Sequence, residues 1–347
     1  MAASRRDFIK TLSFGAAGLA IGSSSMVNSI FAKETVQSKS PVSFGSGGDR
    51  IKLIKEILQP LEEKIRQDIK GKQVIIKPNC VWDANELCAS DPDAIRAVLD
   101  FLKPIYNETV VIAEATASPE GTLKCFEDYQ YTKVAKEYNA KLFDLNQDSY
   151  SVEWIIGKNR YPLDIKIIDT FLNPKNYIIS LARMKTHNTV VATLSFKNMI
   201  MACPINVAKS HPSFVINQYE KRKMHEGGSK GINYNMFLMA NKVKPGLAII
   251  DGFVGMEGNG PRNGTPVEHG VALAGFDMVS VDRVGVELMG IKYDDVGYLQ
   301  WSSNAGLGQG NLDKIEVIGP DYKKFIKSYR LADNIQEQLK WQDTSEA

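Results

Sequence analysis

An α/β fold, with a mainly parallel or mixed sheet flanked by helices, is predicted by two periodicities that alternate along the chain. Apolar residues recur at helical spacing over residues 51–69, 91–105, 121–138 and 277–289. Between and after them lie short apolar runs at 73–77, 109–115, 140–145, 176–182, 247–251, 267–275 and 315–318, rich in Val and Ile. Their length fits buried strands. A third observation is Asp91-Pro92, an N-cap followed by proline at the first helical position. Strand, helix and strand in repeated succession argue for right-handed crossovers and a parallel unit. Such sheets gather ligands beyond the carboxyl ends of their strands.

The middle of the chain departs from that rhythm. Residues 152–156 and 163–168 read as a β-hairpin. Residues 190–201, 213–226 and 233–243 read as helices, making a helical insertion. The tail at 331–347 is polar and helical in pattern, and 33–50, rich in Ser, Gly and Lys, reads as a linker. Residues 51–330 thus form a single α/β domain, with two lobes split near 150 as the other division.

The amino terminus carries an address. Ser4-Arg5-Arg6-Asp7-Phe8-Ile9-Lys10 precedes residues 11–32, which have no charge. This resembles the twin-arginine signal pattern, whose pathway exports folded proteins. The resemblance implies passage through the twin-arginine translocase to the periplasm, with residues 1–32 as the signal peptide. An uncleaved signal would act as an anchor, because the run is long enough to span a bilayer. Residues 1–32 hold three basic groups and one acidic group, so their removal takes the formal charge from +2 to 0. The remaining chain has no basic surplus to favour nucleic acid. No later stretch is apolar enough to suggest an internal membrane span.

Four cysteines, Cys80, Cys88, Cys125 and Cys203, allow two disulfides in an oxidising compartment, Cys80 with Cys88 being the nearest in sequence. No Cys-x-x-Cys is present, so there is no ferredoxin-type iron–sulfur motif.

Polar clusters follow several of the strands. Ile76-Lys77-Pro78-Asn79 places an ammonium and an amide at a strand end, suited to an anionic substrate. Lys185-Thr186-His187 ends another, and Lys197-Asn198 follows within the otherwise apolar Ser195-Phe196-Lys197-Asn198-Met199-Ile200. A lysine in such a stretch is costly unless paired or used. His187, and His211 in Lys209-Ser210-His211-Pro212, titrate in the range useful for proton transfer. His225 and His269, each alone, read as structural. Asp251-Gly252 opens a glycine-rich segment running to Gly264, read as a tight loop whose amides at Gly258 and Gly260 could face an anion. Asp251, Glu257 and Asp282 offer oxygen ligands for a divalent metal. The segment is neither a Walker loop nor a dinucleotide fingerprint.

Together, Ile76-Lys77-Pro78-Asn79, Lys185-Thr186-His187, Leu194-Ser195-Phe196-Lys197-Asn198, His211-Pro212, Asp251-Gly252, Gly255-Met256-Glu257-Gly258-Asn259-Gly260-Pro261 and Val281-Asp282 with Glu287-Leu288-Met289-Gly290 resemble the family catalogued as domain of unknown function 362. That resemblance spans about residues 73–319. It implies that these blocks matter and names no reaction. Some relatives carry fused iron–sulfur modules, which this chain lacks.

The expectation is an exported enzyme acting on a small anionic carboxylate or phosphate. Lys185, His187, Lys197 and His211 would be catalytic, and Lys77, Asn79, Asn198, Gly258 and Gly260 would hold the substrate. A metal at Asp251, Glu257 and Asp282 would assist. The alternatives are a periplasmic protein that binds a ligand or metal without turnover, and a redox or iron–sulfur-linked partner.

Overall fold

The computed structural model describes residues 39–82, 85–206 and 219–343. In chain order these form β1 (Ser40–Ser46), α1 (Arg50–Leu58), α2 (Glu62–Asp68), β2 (Gln73–Pro78), α3 (Pro92–Leu102), β3 (Val111–Glu114), α4 (Thr122–Asp128), α5 (Tyr131–Tyr138) and β4 (Lys141–Asp144). The hairpin β5 (Tyr150–Ile156) and β6 (Pro162–Ile168) follows, then β7 (Asn176–His187), β8 (Val191–Thr193), α6 (Ser195–Ile200), α7 (Glu220–Lys223) and α8 (Gly228–Ala240). The chain closes with β9 (Leu247–Asn259), β10 (Asn263–Gly275), α9 (Met278–Leu288), α10 (Gly297–Asn304), β11 (Ile315–Ile318) and α11 (Ile335–Leu339).

The main sheet runs β11-β1-β10-β9-β7-β2-β3-β4, and β8 folds back on β7. From β9 to β4 every neighbouring pair is parallel. β10 is antiparallel to β9 and to β1. The mainly parallel, helix-flanked sheet expected from the periodicity is therefore present. Its strands are unbroken apolar runs because both faces are covered. Ile75, Ile178, Ile250 and Leu273 point into the core that includes Phe196 of α6, Met236 of α8 and Val284 of α9. Alternate residues Ile76, Ile179, Leu181 and Ile249 point into the opposite core, with Ile54 of α1, Val98 of α3 and Val134 of α5. Each such side chain contributes roughly 1.5–3 kcal/mol by leaving water. Asp91 caps α3 by accepting the Asp93 N–H, and Asp277 caps α9 by accepting that of Val279. Among the described residues, no helix is long and apolar enough to cross a membrane.

Several boundaries differ from expectation, each for a local reason. Part of the stretch read as a linker is β1, paired with both β10 and β11. Only Val42 and Phe44 alternate there, too short a pattern to stand out. The helix expected over 51–69 divides at Gln59–Leu61, a 3-10 turn that includes Pro60, which has no N–H to give. Gln130, at φ 61°, splits the helix expected over 121–138 into α4 and α5. Residues 191–193 are strand rather than helix, because they pair with the end of β7. Of the helix expected over 213–226, the described part holds α7.

The glycine-rich segment is the largest correction: it is strand, not loop. β9 continues to Asn259 and pairs along its length with β10. Its glycines serve close approach. A Cβ on Gly255 would sit 2.4 Å from the Tyr329 hydroxyl, and one on Gly260 would sit 2.1 Å from the Thr186 carbonyl. All four cysteines are buried, and no disulfide joins Cys80 to Cys88. Burial pushes Cys203 up to about 12, so it is a thiol at neutral pH.

Candidate functional site

The order of the parallel strands reverses beside β2. The chain lays down β2, β3 and β4 toward one edge, then returns to the other side of β2 with β7 and β9. Connections leaving in opposite directions open a crevice at the carboxyl ends. There lies a cleft of about 410 Å³, lined by Lys77, Asn79, Glu114, His187, Lys197 and Asn198, together with Trp82, Thr193, Lys221, His225 and Arg262. A larger hollow of about 610 Å³, lined by Asp100, Tyr106, Glu108 and Asn139 among others, lies beside the residues that lead into β3 and β4. It is at the wrong end of those strands and holds none of the expected residues.

The cleft floor is a closed polar network. Lys77 Nζ donates to the Pro78 carbonyl at 2.8 Å, Glu114 Oε2 at 2.9 Å and Asn198 Oδ1 at 2.8 Å. Three acceptors satisfy its three hydrogens, so this buried ammonium holds Glu114 and Asn198 in place. Glu114 also accepts the N–H groups of Cys80 and Ala115. Asn79 donates to Asn198 at 3.2 Å and accepts from Lys185. Lys185 also donates to the Cys88 carbonyl at 3.3 Å. Complete burial, helped by the charge of Arg183, pushes Lys185 down to about 7.

Above this floor the side chains are differently placed. Lys197 is 7% exposed, on α6. Its Nζ has no hydrogen-bond or ion-pair partner among the described residues. Burial alone pushes it down to about 8. His187 Nδ1 accepts the Thr189 N–H at 2.9 Å, which leaves the ring proton on Nε2. Burial first, and then the charge of Lys197, hold His187 well below the ordinary histidine value. The ring is thus neutral and acts as an N–H donor. The protein packed around His225, then Lys197, pushes it down to about 4. His225 lines the cleft and is itself exposed. Thr193 Oγ1 is buried without a partner among the described residues.

Lys221 closes the far side. Its Nζ donates to the carbonyls of Met201, Ala202 and Pro204 at 3.0, 3.2 and 2.8 Å. These groups lie at and beyond the carboxyl end of α6, where a cation is favoured. Burial pushes Lys221 down to about 7. At the mouth, the Arg262 guanidinium lies 4.3 Å from the centre of the Trp82 ring and has no acidic partner among the described residues. Among the described residues Glu114 is the one acid lining the cleft, and Lys77 neutralises it. The remaining field is positive and suits an anion.

The other expected residues are not gathered there. Asp251 accepts the Phe253 N–H at 2.9 Å and lies 3.2 Å from Arg50 Nε. Glu257 accepts the Arg330 N–H at 2.9 Å. Asp282 accepts the N–H groups of Ser195 and Phe196 at 2.9 and 3.0 Å, tying down the start of α6. Burial raises its pKa well above the usual carboxylate range, against the pull of those two bonds. Thus the three carboxylates serve three separate places. Among the described residues no group of three or more His, Cys, Asp or Glu side chains is arranged to hold a metal. The Gly258 N–H goes to the Arg330 carbonyl and that of Gly260 to the Gly258 carbonyl, so neither amide faces the cleft. His211 lies outside the described residues. Conversely, Lys221, Thr193, Trp82 and Arg262 were not named as site residues from the sequence, and His225, read there as structural, lines the cleft. Only Arg262 gave a signal, as the cation in the glycine-rich segment.

Residues 74–287 match the family model described as Domain of unknown function (DUF362). The chain belongs to this family. The matched span runs from β2 into α9 and contains every residue lining the cleft. A relative within reach of sequence comparison is the thylakoid-associated protein sll1697 of Synechocystis sp.. The two are 23% identical over 254 residues, which cover 70% of each chain. Of the blocks that carried the resemblance, Lys77 and Asn79, His187, and Lys197 and Asn198 line the cleft, while the carboxylates and Gly258 and Gly260 lie elsewhere.

Proposed function

We propose that the chain is an exported enzyme acting on a small organic anion, a carboxylate or phosphate, in the cleft beyond β2 and β7. The observation that carries this reading is Lys197. Among the described residues it is a buried amine without a partner, in a cleft whose one described acid is already neutralised. Arg262, exposed at the mouth and without an acidic partner among the described residues, would take the anionic group. Lys197, with a value near neutrality, would exchange a proton or hold developing negative charge. His187 would donate its Nε2–H as a neutral group, because its Nδ1 is occupied by Thr189. The rigid network of Lys77, Glu114, Asn79, Asn198 and Lys185 would keep that geometry fixed. Export rests on Ser4-Arg5-Arg6 and the uncharged run after it.

The test is turnover of a panel of carboxylic and phosphorylated organic acids by the full chain, Lys197→Met and Arg262→Gln. Lys197→Met is expected to lose at least about 100-fold in kcat/KM, as for loss of a group acting in the transition state. Arg262→Gln is expected to raise KM about tenfold with kcat retained. Unchanged turnover by Lys197→Met of a substrate the parent accepts would remove Lys197 from the chemistry. Saturable binding by the parent without any product would favour capture over catalysis.

A further inference from the structure

The lysines around the cleft differ in what holds their nitrogens. Lys77 and Lys221 each give three hydrogens to oxygen acceptors. Lys185 is taken up by Asn79 and the Cys88 carbonyl and does not line the cleft. Lys197 lines it and has no acceptor among the described residues. An ammonium in that setting loses its proton readily and offers a lone pair. With a value of about 8, roughly one Lys197 amine in ten is neutral at pH 7. For an ordinary lysine the figure is roughly one in three thousand.

Two groups in the same cleft can receive an oxygen. His187 presents Nε2–H and lies close enough for the Lys197 charge to depress it. Thr193 Oγ1 is buried and has no partner among the described residues, an arrangement that costs stability unless something binds there. Arg262 is placed for a carboxylate. A nucleophilic amine, oxygen-facing donors and a carboxylate site together suit a small oxo acid.

We propose that Lys197 Nζ condenses with the carbonyl carbon of a small oxo acid to form an imine. This rests on the anion-cleft reading above. The neutral amine adds to the carbonyl, its lone pair forms the C–N bond, and the carbonyl π electrons move to oxygen. That oxygen takes a proton and the nitrogen gives one up, forming a carbinolamine. Protonation of its hydroxyl then breaks the C–O bond, water leaves, and the nitrogen lone pair closes C=N. One water is released and no oxidant or reductant is consumed. The substrate's own carboxylate balances the positive charge of the protonated imine.

The experiment incubates the full chain with glyoxylate and sodium cyanoborohydride, which reduces imines to stable amines, and locates the label by peptide mass mapping. Lys197 is expected to be labelled at least about tenfold faster than Lys52, whose side chain is 75% exposed. The rate should rise with pH through about 8, and succinate should suppress it. Lys197→Arg keeps the cation and cannot form an imine. It should lose the fast label while succinate still raises its melting temperature. Should that variant fail to fold, the comparison with Lys52 in the parent decides alone. Labelling of Lys197 no faster than Lys52 would overturn the imine. In that event, a melting temperature of the parent still raised by succinate leaves the anion cleft standing. No effect of succinate or inorganic phosphate on melting would remove both.

Discussion

Replacing Lys197 with Met should make the protein more stable at neutral pH, and the gain should vanish in alkali. Folding takes this ammonium from an ordinary value of 10.5 to about 8, through burial alone. At ~1.4 kcal/mol per tenfold change, that drop corresponds to about 3 kcal/mol. The sign follows from proton counting. Between about pH 8 and 10.5 the unfolded chain keeps the Lys197 proton and the folded chain has released it. Stability therefore rises with pH across that window. Below pH 8 the cost is present in full, and above 10.5 it is absent. Met is unbranched, neutral and of similar length, so it fills the site without the charge. Lys185 and Lys221 are pushed down in the same direction, so the informative quantity is parent minus variant. Urea unfolding at pH 7 should show Lys197→Met more stable by about 3 kcal/mol, shrinking below about 1 kcal/mol at pH 10.5. A variant less stable than the parent at pH 7, or an equal advantage at both pH values, would refute the burial argument. A stabilising change that removes activity is the pattern expected of a residue kept for function.

Other outcomes follow from the same geometry. Glu114→Gln leaves the buried Lys77 ammonium without its countercharge and disturbs the Cys80 and Ala115 N–H bonds. It should cost about 3–5 kcal/mol in urea unfolding, and a loss under about 1 kcal/mol would show that the pair is dispensable. Changing Arg5 and Arg6 together to Lys should hold the chain in the cytoplasmic fraction of a bacterial host. Its continued appearance in the periplasmic fraction would rule out twin-arginine export.

Much of the cleft was legible in the sequence because strand ends are legible. Lys77 and Asn79 follow a Val-Ile-Ile run, and Lys185 and His187 follow another, so each lies at the carboxyl end of a buried strand. Lys197 stood out as a charge in an apolar stretch. The glycine-rich segment misled because glycine permits both a left-handed turn and a close backbone approach. Here Gly255 and Gly260 serve the second use. The acidic residues misled for a related reason. A carboxylate can bind a metal, an arginine or a pair of backbone N–H groups, and residue type alone does not choose among them.

By itself, then, the sequence determined the layered α/β architecture, the strands whose ends form the site, and an amino-terminal pattern resembling an export signal. Those properties are local: periodicity, caps and short motifs act within a few residues. Tertiary structure decided which lysines are tied and which is open. Lys77 meets Glu114 across 37 positions and Asn198 across 121, and Asp282 holds the start of α6 across 87. Whether a buried amine is a strut or a reactive group depends on acceptors that the chain brings from far away. Only the folded sheet, reversing its order beside β2, sets them around Lys77 and leaves Lys197 without one among the described residues.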